Sequence, residues 1–214
     1  MNIKTTFIGA IIATVMMSGT SQAATFLQGN FNLEIGNFNA GGSAGNALAD
    51  EATLTAKSEA TGFYNGALDF NIGGGNSGST TIGDFLESGS GTFSGFSQAV
   101  LDLTLSTPTF QDTTIFSFVA NFADGFLGSV LHDDGVSVLD DGTVVAASTA
   151  PTTAITTEFG FDGGDFNLIY VAANGNPSVL EVEISPVPVP AALPLFLAGF
   201  GGLGLMARRK RKAA

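Results

Sequence analysis

Leu180, Val182 and Ile184 alternate with Glu181 and Glu183, a period of two that sends apolar side chains to one face of an extended strand and charges to the other. A helix would scatter those side chains around its axis, so the segment reads as a half-buried strand. The same alternation sets Leu101, Leu103 and Leu105 against Asp102 and Thr104. Thr114 to Phe122 places Phe116, Phe118 and Phe122 on one side, which suits a core strand, while Phe166 to Ala173 is apolar on both sides, which suits a strand covered twice. Further strands are expected at Thr25 to Leu33, Thr61 to Ile72, Ser129 to Leu131, Val136 to Leu139, Thr143 to Ala147 and Ala154 to Phe159. About ten strands joined by short turns predict an all-β fold, an antiparallel β-sandwich of jelly-roll type.

Helical signals are few. Ala47 to Ala60 fits a short helix through Leu48, Glu51, Ala52 and Leu54, and fits a strand equally well through its threonines. Gly73 to Thr80 and Glu87 to Gly95 are rich in glycine and serine and read as loops. With no cysteine in the chain, stability rests on an apolar core, for which residues 24–185 supply enough length.

The two ends depart from the strand pattern. Lys4, the apolar run Phe7 to Met17 and the small-x-small triplet Ser21-Gln-Ala23 have the layout of a secretory signal peptide over residues 1–23, with Ala24 as the expected mature start. Ala191 to Ala207 is 17 residues without a charge, enough for a helix of ~26 Å against a hydrocarbon core of ~30 Å. Arg208, Arg209, Lys210, Arg211 and Lys212 follow, and such clusters stay on the cytoplasmic side. The expected order is therefore signal peptide, β ectodomain over 24–185, Pro-rich linker over 186–190, transmembrane helix over 191–207 and basic tail over 208–214. The ectodomain then lies outside the inner membrane.

The tail resembles the PEP-CTERM class of bacterial sorting signals in its VPLPA-CTERM form. Val187-Pro188-Val189-Pro190-Ala191 is followed by the apolar stretch and the terminal Arg/Lys cluster. Val189 stands where that form has leucine, and the glutamate of the PEP form is missing. The resemblance implies recognition by an exosortase-type transpeptidase, cleavage near the proline motif, a membrane-anchored precursor with a periplasmic ectodomain, and delivery to the cell surface or extracellular matrix. Hydropathy alone also permits a permanent anchor.

Between the two signals lie all 19 acidic residues and a single basic one, Lys57. Nucleic acid is excluded as a partner on that count, because binding phosphates requires clustered Lys and Arg. Self-repulsion of such a surface is relieved by salt or by bound divalent cations.

Three glycine- or aspartate-bearing motifs remain. Gly73, Gly75 and Gly78 meet the spacing G-x-G-x-x-G, but Ser79-Thr-Thr-Ile82 follows rather than a βαβ unit, so a flexible hairpin loop is expected instead of a nucleotide site. His132-Asp-Asp-Gly135 and Asp141-Gly142 flank the strand Val136 to Leu139. Both Asp-Gly pairs suit hairpin turns, and a plain meander accounts for them. Adjacent carboxylates also suit Ca2+, which takes about six to eight oxygen ligands. Asp162-Gly-Gly-Asp165 is a second acidic turn with the same two readings.

Residues 114–184 resemble the protective-antigen-type lectin domain of yeast flocculins and bacterial glycosidases. The resemblance rests on the Asp-Asp-Gly strand, the short apolar run, the Asp-Gly turn, Thr143-Val-Val145, and final strands like Phe166-Asn-Leu-Ile-Tyr170 and Val179 to Ile184. It implies that Asp133 and Asp134 coordinate Ca2+, which in turn bridges to sugar hydroxyls. Tryptophan, frequent where sugars stack, is absent.

Catalytic signatures are missing. His132 is the only histidine and has neither G-x-S-x-G nor H-E-x-x-H beside it, so a serine triad and a histidine zinc site lack their parts. It reads as an exposed turn residue. A glycoside hydrolase processing exopolysaccharide would need a desolvated carboxyl at a set distance from a second one. The expectation is a non-enzymatic structural or adhesive module, with exopolysaccharide as a partner and Ca2+-assisted glycan contact as the sharper form.

Overall fold

The alternation at Leu180 to Ile184 is carried into a computed structural model that describes residues 25–75 and 79–186. The signal peptide, the motif Val187 to Ala191, the transmembrane helix and the cluster Arg208 to Lys212 lie outside the described residues. Among the described residues, no helix is long and apolar enough to cross a membrane.

Two antiparallel sheets stack face to face. The first has five strands, in the order β1 (Thr25–Phe26), β12 (Ser178–Pro186), β7 (Phe126–Asp133) and β10 (Ile155–Phe161), with β4 (Asp69–Ile72) continuing alongside β12. The second has seven, in the order β5 (Thr92–Ser94), β3 (Ala60–Ala67), β2 (Gln28–Phe38), β6 (Thr113–Phe122), β11 (Gly164–Ala172), β8 (Gly135–Asp140) and β9 (Thr143–Ser148). In β12, Leu180 and Val182 are buried while Glu183 faces solvent, so the period of two marks the inner face as expected. β11 is covered twice: Phe166, Leu168 and Tyr170 enter the space between the sheets, and Ile169 and Val171 pack on the opposite face with Leu54 and Leu139.

The interior is an aromatic stack. Phe118 sits within 6.1 Å of Phe31, 5.5 Å of Phe70 and 6.1 Å of Tyr64, centroid to centroid. Phe85 bridges Phe70 at 4.9 Å and Tyr170 at 5.6 Å. Such edge-on, tilted and stacked pairs suit the ring quadrupoles and add to the burial of large apolar area.

Helices occupy the connections. Within Ala47 to Ala60 the helical reading prevails: α1 (Glu51–Lys57) is capped by Asp50, whose side chain accepts from the Thr53 N–H. Beyond it β3 begins, so the threonine-rich strand reading fails up to Lys57 and holds only from Ala60. α2 (Ile82–Ser88) was not foreseen, although Thr81 and Asp84 form a reciprocal capping box. A helix thus does follow the Gly73 loop, but β4 before it runs antiparallel to β12, and no βαβ unit exists there.

The expected strand at Leu101, Leu103 and Leu105 is corrected. α3 (Gln98–Leu101) ends there, Leu103 is exposed, and only Leu105 is buried. Five alternating residues are satisfied as well by a helix end followed by an extended loop, whose Thr104 bridges to Thr81. Glu87 to Gly95 is likewise more ordered than a loop, since it holds the end of α2 and the short β5.

Candidate functional site

Asp134 stands where the chain changes sheets. β7 ends at Asp133, which is paired with Val179 of β12, and β8 begins at Gly135, which is paired with Val171 of β11. The expected hairpin at Asp134-Gly135 is therefore corrected to a crossing between the two layers. A Cβ at Gly135 would collide with the Thr149 carbonyl, so glycine is needed for the chain to pass this close. Asp141-Gly142 does form a hairpin turn, with φ of 46° and 75°, and joins β8 to β9.

Burial at the crossing is nearly complete. His132 is 0% exposed, Asp133 8% and Asp134 2%, so His132 is not the exposed turn residue that the sequence suggests. His132 Nδ1 faces the Asp134 carbonyl oxygen. A carbonyl only accepts, so that nitrogen carries the proton, and Nε2 accepts from the Thr157 hydroxyl at 2.8 Å. Burial lowers the His132 pKa, which keeps the ring neutral and structural. The Tyr170 hydroxyl donates to the Asp133 carbonyl. The Asp133–Asp134 and Asn176–Pro177 peptide bonds are cis.

The two carboxylates carry the unusual electrostatics. Burial pushes the Asp134 carboxyl up to about 8; the Ala173 N–H opposes this, the Asp133 charge adds to it, and the Thr152 N–H opposes it. The bond from Ala173 N to Asp134 Oδ2 is 2.7 Å. Asp133 is also raised by burial, against one backbone N–H from Ala154. Lys57, the only basic residue among the described ones, lies over the Phe38 ring at 5.4 Å and lines a different hollow. Among the described residues, two adjacent acids are thus buried with no cation beside them, an arrangement that is costly when both ionise.

Both acids open into a cleft of about 530 Å3 walled chiefly by three connections, with Ala44 and Phe110 also lining it. Gly74 and Gly75 come from the loop after β4, Pro151 to Thr153 from the β9–β10 connection, and Asn174 to Pro177 from the β11–β12 connection. No lining residue is basic. The donors here are hard oxygens: two carboxylates with the side chains of Asn174 and Asn176 in the same wall. Among the described residues no group of three or more His, Cys, Asp or Glu gathers to hold a metal. A cation at this cleft would therefore draw on amide and backbone oxygens beside the acid pair, as hard divalent ions do. Sequence reading identified the pair but missed the walls, because Pro151, Asn174 and Asn176 carry no motif of their own.

The second acidic turn is spent on structure. The Asp162 N–H donates to Asp140 Oδ2 at 2.9 Å, and the Asp165 N–H donates to Asp141 Oδ1 at 2.8 Å. Asp165 Oδ1 accepts from the Asn121 amide at 2.8 Å. These carboxylates hold the passage from β10 to β11, which is again a change of sheet rather than a hairpin.

No family model matches the chain, and no curated protein matches it in sequence. Among solved structures, the chain is similar to a PA14 sugar-binding domain from an RTX adhesin, with 21% identity, 72% of this chain and 88% of that chain covered, and a TM-score of 0.48. It is similar to the PA14 domain of the MpAFP antifreeze protein, with 18% identity, coverage of 80% and 90%, and a TM-score of 0.48. The epithelial adhesin 9 A domain from Candida glabrata, in complex with Galb1-3GlcNAc, is similar at 10% identity, coverage of 73% and 81%, and a TM-score of 0.43.

Proposed function

We propose that this protein is an exported, non-enzymatic adhesive module that contacts glycans at the Asp133–Asp134 cleft with the help of Ca2+. One observation carries the reading: two adjacent carboxylates are 8% and 2% exposed and open into a cleft with no basic lining residue. Asp133 and Asp134 would hold the ion, which neutralises their charge. Bound there, Ca2+ would supply hard coordination positions suited to neutral sugar hydroxyls. The protein's own contribution is positional: the Ala173 and Thr152 N–H groups fix Asp134, and the Ala154 N–H fixes Asp133.

The test is retention on a glycan panel, with Ca2+ and with chelator. The parent should bind in Ca2+ and lose at least about tenfold in chelator, whereas Asp133→Asn/Asp134→Asn should bind weakly in both. Equal binding by parent and double variant in Ca2+ would reject the site. Release of reducing sugar from the same panel would instead favour the alternative of an exopolysaccharide-processing glycoside hydrolase.

Export and sorting form the second part of the proposal. Val187 to Ala191, the apolar stretch 191–207 and Arg208 to Lys212 support a membrane-anchored precursor that an exosortase-type transpeptidase releases to the cell surface or matrix. Mass spectrometry of the protein from cells with and without the processing enzyme should show loss of the tail only in the former. An intact C-terminus through Ala214 in both would leave a permanent anchor.

A further inference from the structure

The outer face of the seven-stranded sheet carries a patch unlike the rest of the surface. Phe63 of β3 is 60% exposed. It pairs across strands with Asn32 of β2 on one side and Ser94 of β5 on the other. One row away on the same face, Asn65 pairs with Asn30 and with Thr92. All six line one hollow of about 450 Å3, and it shares no residue with the aspartate cleft.

Two properties distinguish these residues. None of the hollow's lining groups is charged at neutral pH, although acidic residues outnumber basic ones 19 to 7 in the chain. Among the described residues, the amides of Asn30, Asn32 and Asn65 also make no side-chain hydrogen bond. Their neighbours on the same sheet differ: the Asn121 amide donates to Asp165, and Asn167 accepts from the Ser117 hydroxyl. A solvent-facing aromatic ring within a set of open amides meets the two needs of a sugar. The ring covers the apolar C–H face, and each amide offers two donors and an acceptor to hydroxyls that both give and take. Adjacent strands set these groups ~4.8 Å apart, on the scale of one sugar ring.

We infer that this hollow is a second glycan-contact site, independent of any cation, which takes uncharged polysaccharide. Phe63 stacks on a sugar ring while Asn30, Asn32 and Asn65 address its hydroxyls. The lack of charge matches a neutral chain, and the acidic surroundings repel an anionic one. The site is separate from the aspartate cleft, so each stands or falls alone.

The test is retention of the full chain in EDTA on insoluble cellulose, curdlan and chitin, with alginate as the anionic polymer. The parent should be held by at least one neutral polymer and not by alginate. Phe63→Ala should weaken that binding by about tenfold or more, Phe63→Tyr should preserve it, and Asn32→Ala should weaken it about threefold. Asp133→Asn/Asp134→Asn should leave EDTA-resistant binding unchanged. Unchanged melting of Phe63→Ala would show that the loss is not unfolding. Equal retention of parent and Phe63→Ala, no retention on any neutral polymer, or retention on alginate alone would overturn the inference. So would self-association that Phe63→Ala abolishes, since the patch would then be an interface between copies. Binding that appears only with Ca2+ and vanishes in the aspartate variant would reject this site and keep the cleft.

Discussion

Stripped of divalent cations, the protein is expected to lose stability between about pH 4 and pH 8, and Asp134→Asn is expected to remove much of that loss. The Asp134 carboxyl is raised from 3.8 to about 8 in the folded chain. Below about pH 4 it is protonated in both folded and unfolded chains, and its contribution to stability is complete. As pH rises toward 8 the unfolded chain ionises while the folded one does not, so stability is lost; above 8 the loss is complete. A shift of this size corresponds to a change on the order of 5 kcal/mol. Asparagine keeps an acceptor for the Ala173 N–H but cannot serve the Thr152 N–H equally, which costs about 1 to 2 kcal/mol. The variant should therefore exceed the parent by about 3 kcal/mol at pH 8 in EDTA and lose that advantage at pH 4. Urea unfolding at both pH values checks this. A difference that does not change with pH would mean that Asp134 ionises freely in the fold.

Phe118→Ala should be severely damaging to the core, costing about 3 to 5 kcal/mol. Phe118 is fully buried and touches the rings of Phe31, Tyr64, Phe70 and Phe116. Those rings come from β2, β3, β4 and β6, so the vacated space lies between both sheets and cannot close by moving one side chain. At ~2 to 4 °C per kcal/mol for a domain of this size, the melting temperature should fall by about 10 °C. Phe63→Ala, on the outer face, should change stability by no more than about 0.5 kcal/mol. Calorimetry on the pair separates core from surface phenylalanine; a small effect at Phe118 would contradict the packing described.

The strands were readable wherever one face is buried and the other wet. Leu180 and Val182 against Glu181 and Glu183 state their own orientation, and Phe166 to Ala173 declares two covers by having no polar face. Leu101 to Leu105 misled because five residues are too few to separate a strand from a helix end. Asp134-Gly135 misled for a different reason. An Asp-Gly pair reports a local bend but not which sheet the next strand joins, and here Val179 and Val171, each tens of residues away, decide it. The burial of His132 depends in the same way on Thr157 and on the Asp134 carbonyl. The acid pair was legible as two letters; that no described cation lies beside it was foreshadowed only by Lys57 being the one basic residue between Ala24 and Ser185.

The most direct test of the cleft is a melting experiment at pH 8, in EDTA and in millimolar Ca2+, on the parent and on Asp133→Asn/Asp134→Asn. Calcium at one hundred times its Kd should stabilise the parent by about 2.7 kcal/mol, a rise of roughly 5 to 10 °C, and should leave the double variant within about 1 °C. An equal rise in both proteins, or the same rise from Na+ at matched ionic strength, would show only screening of an acidic surface and would contradict a cation site at Asp133 and Asp134.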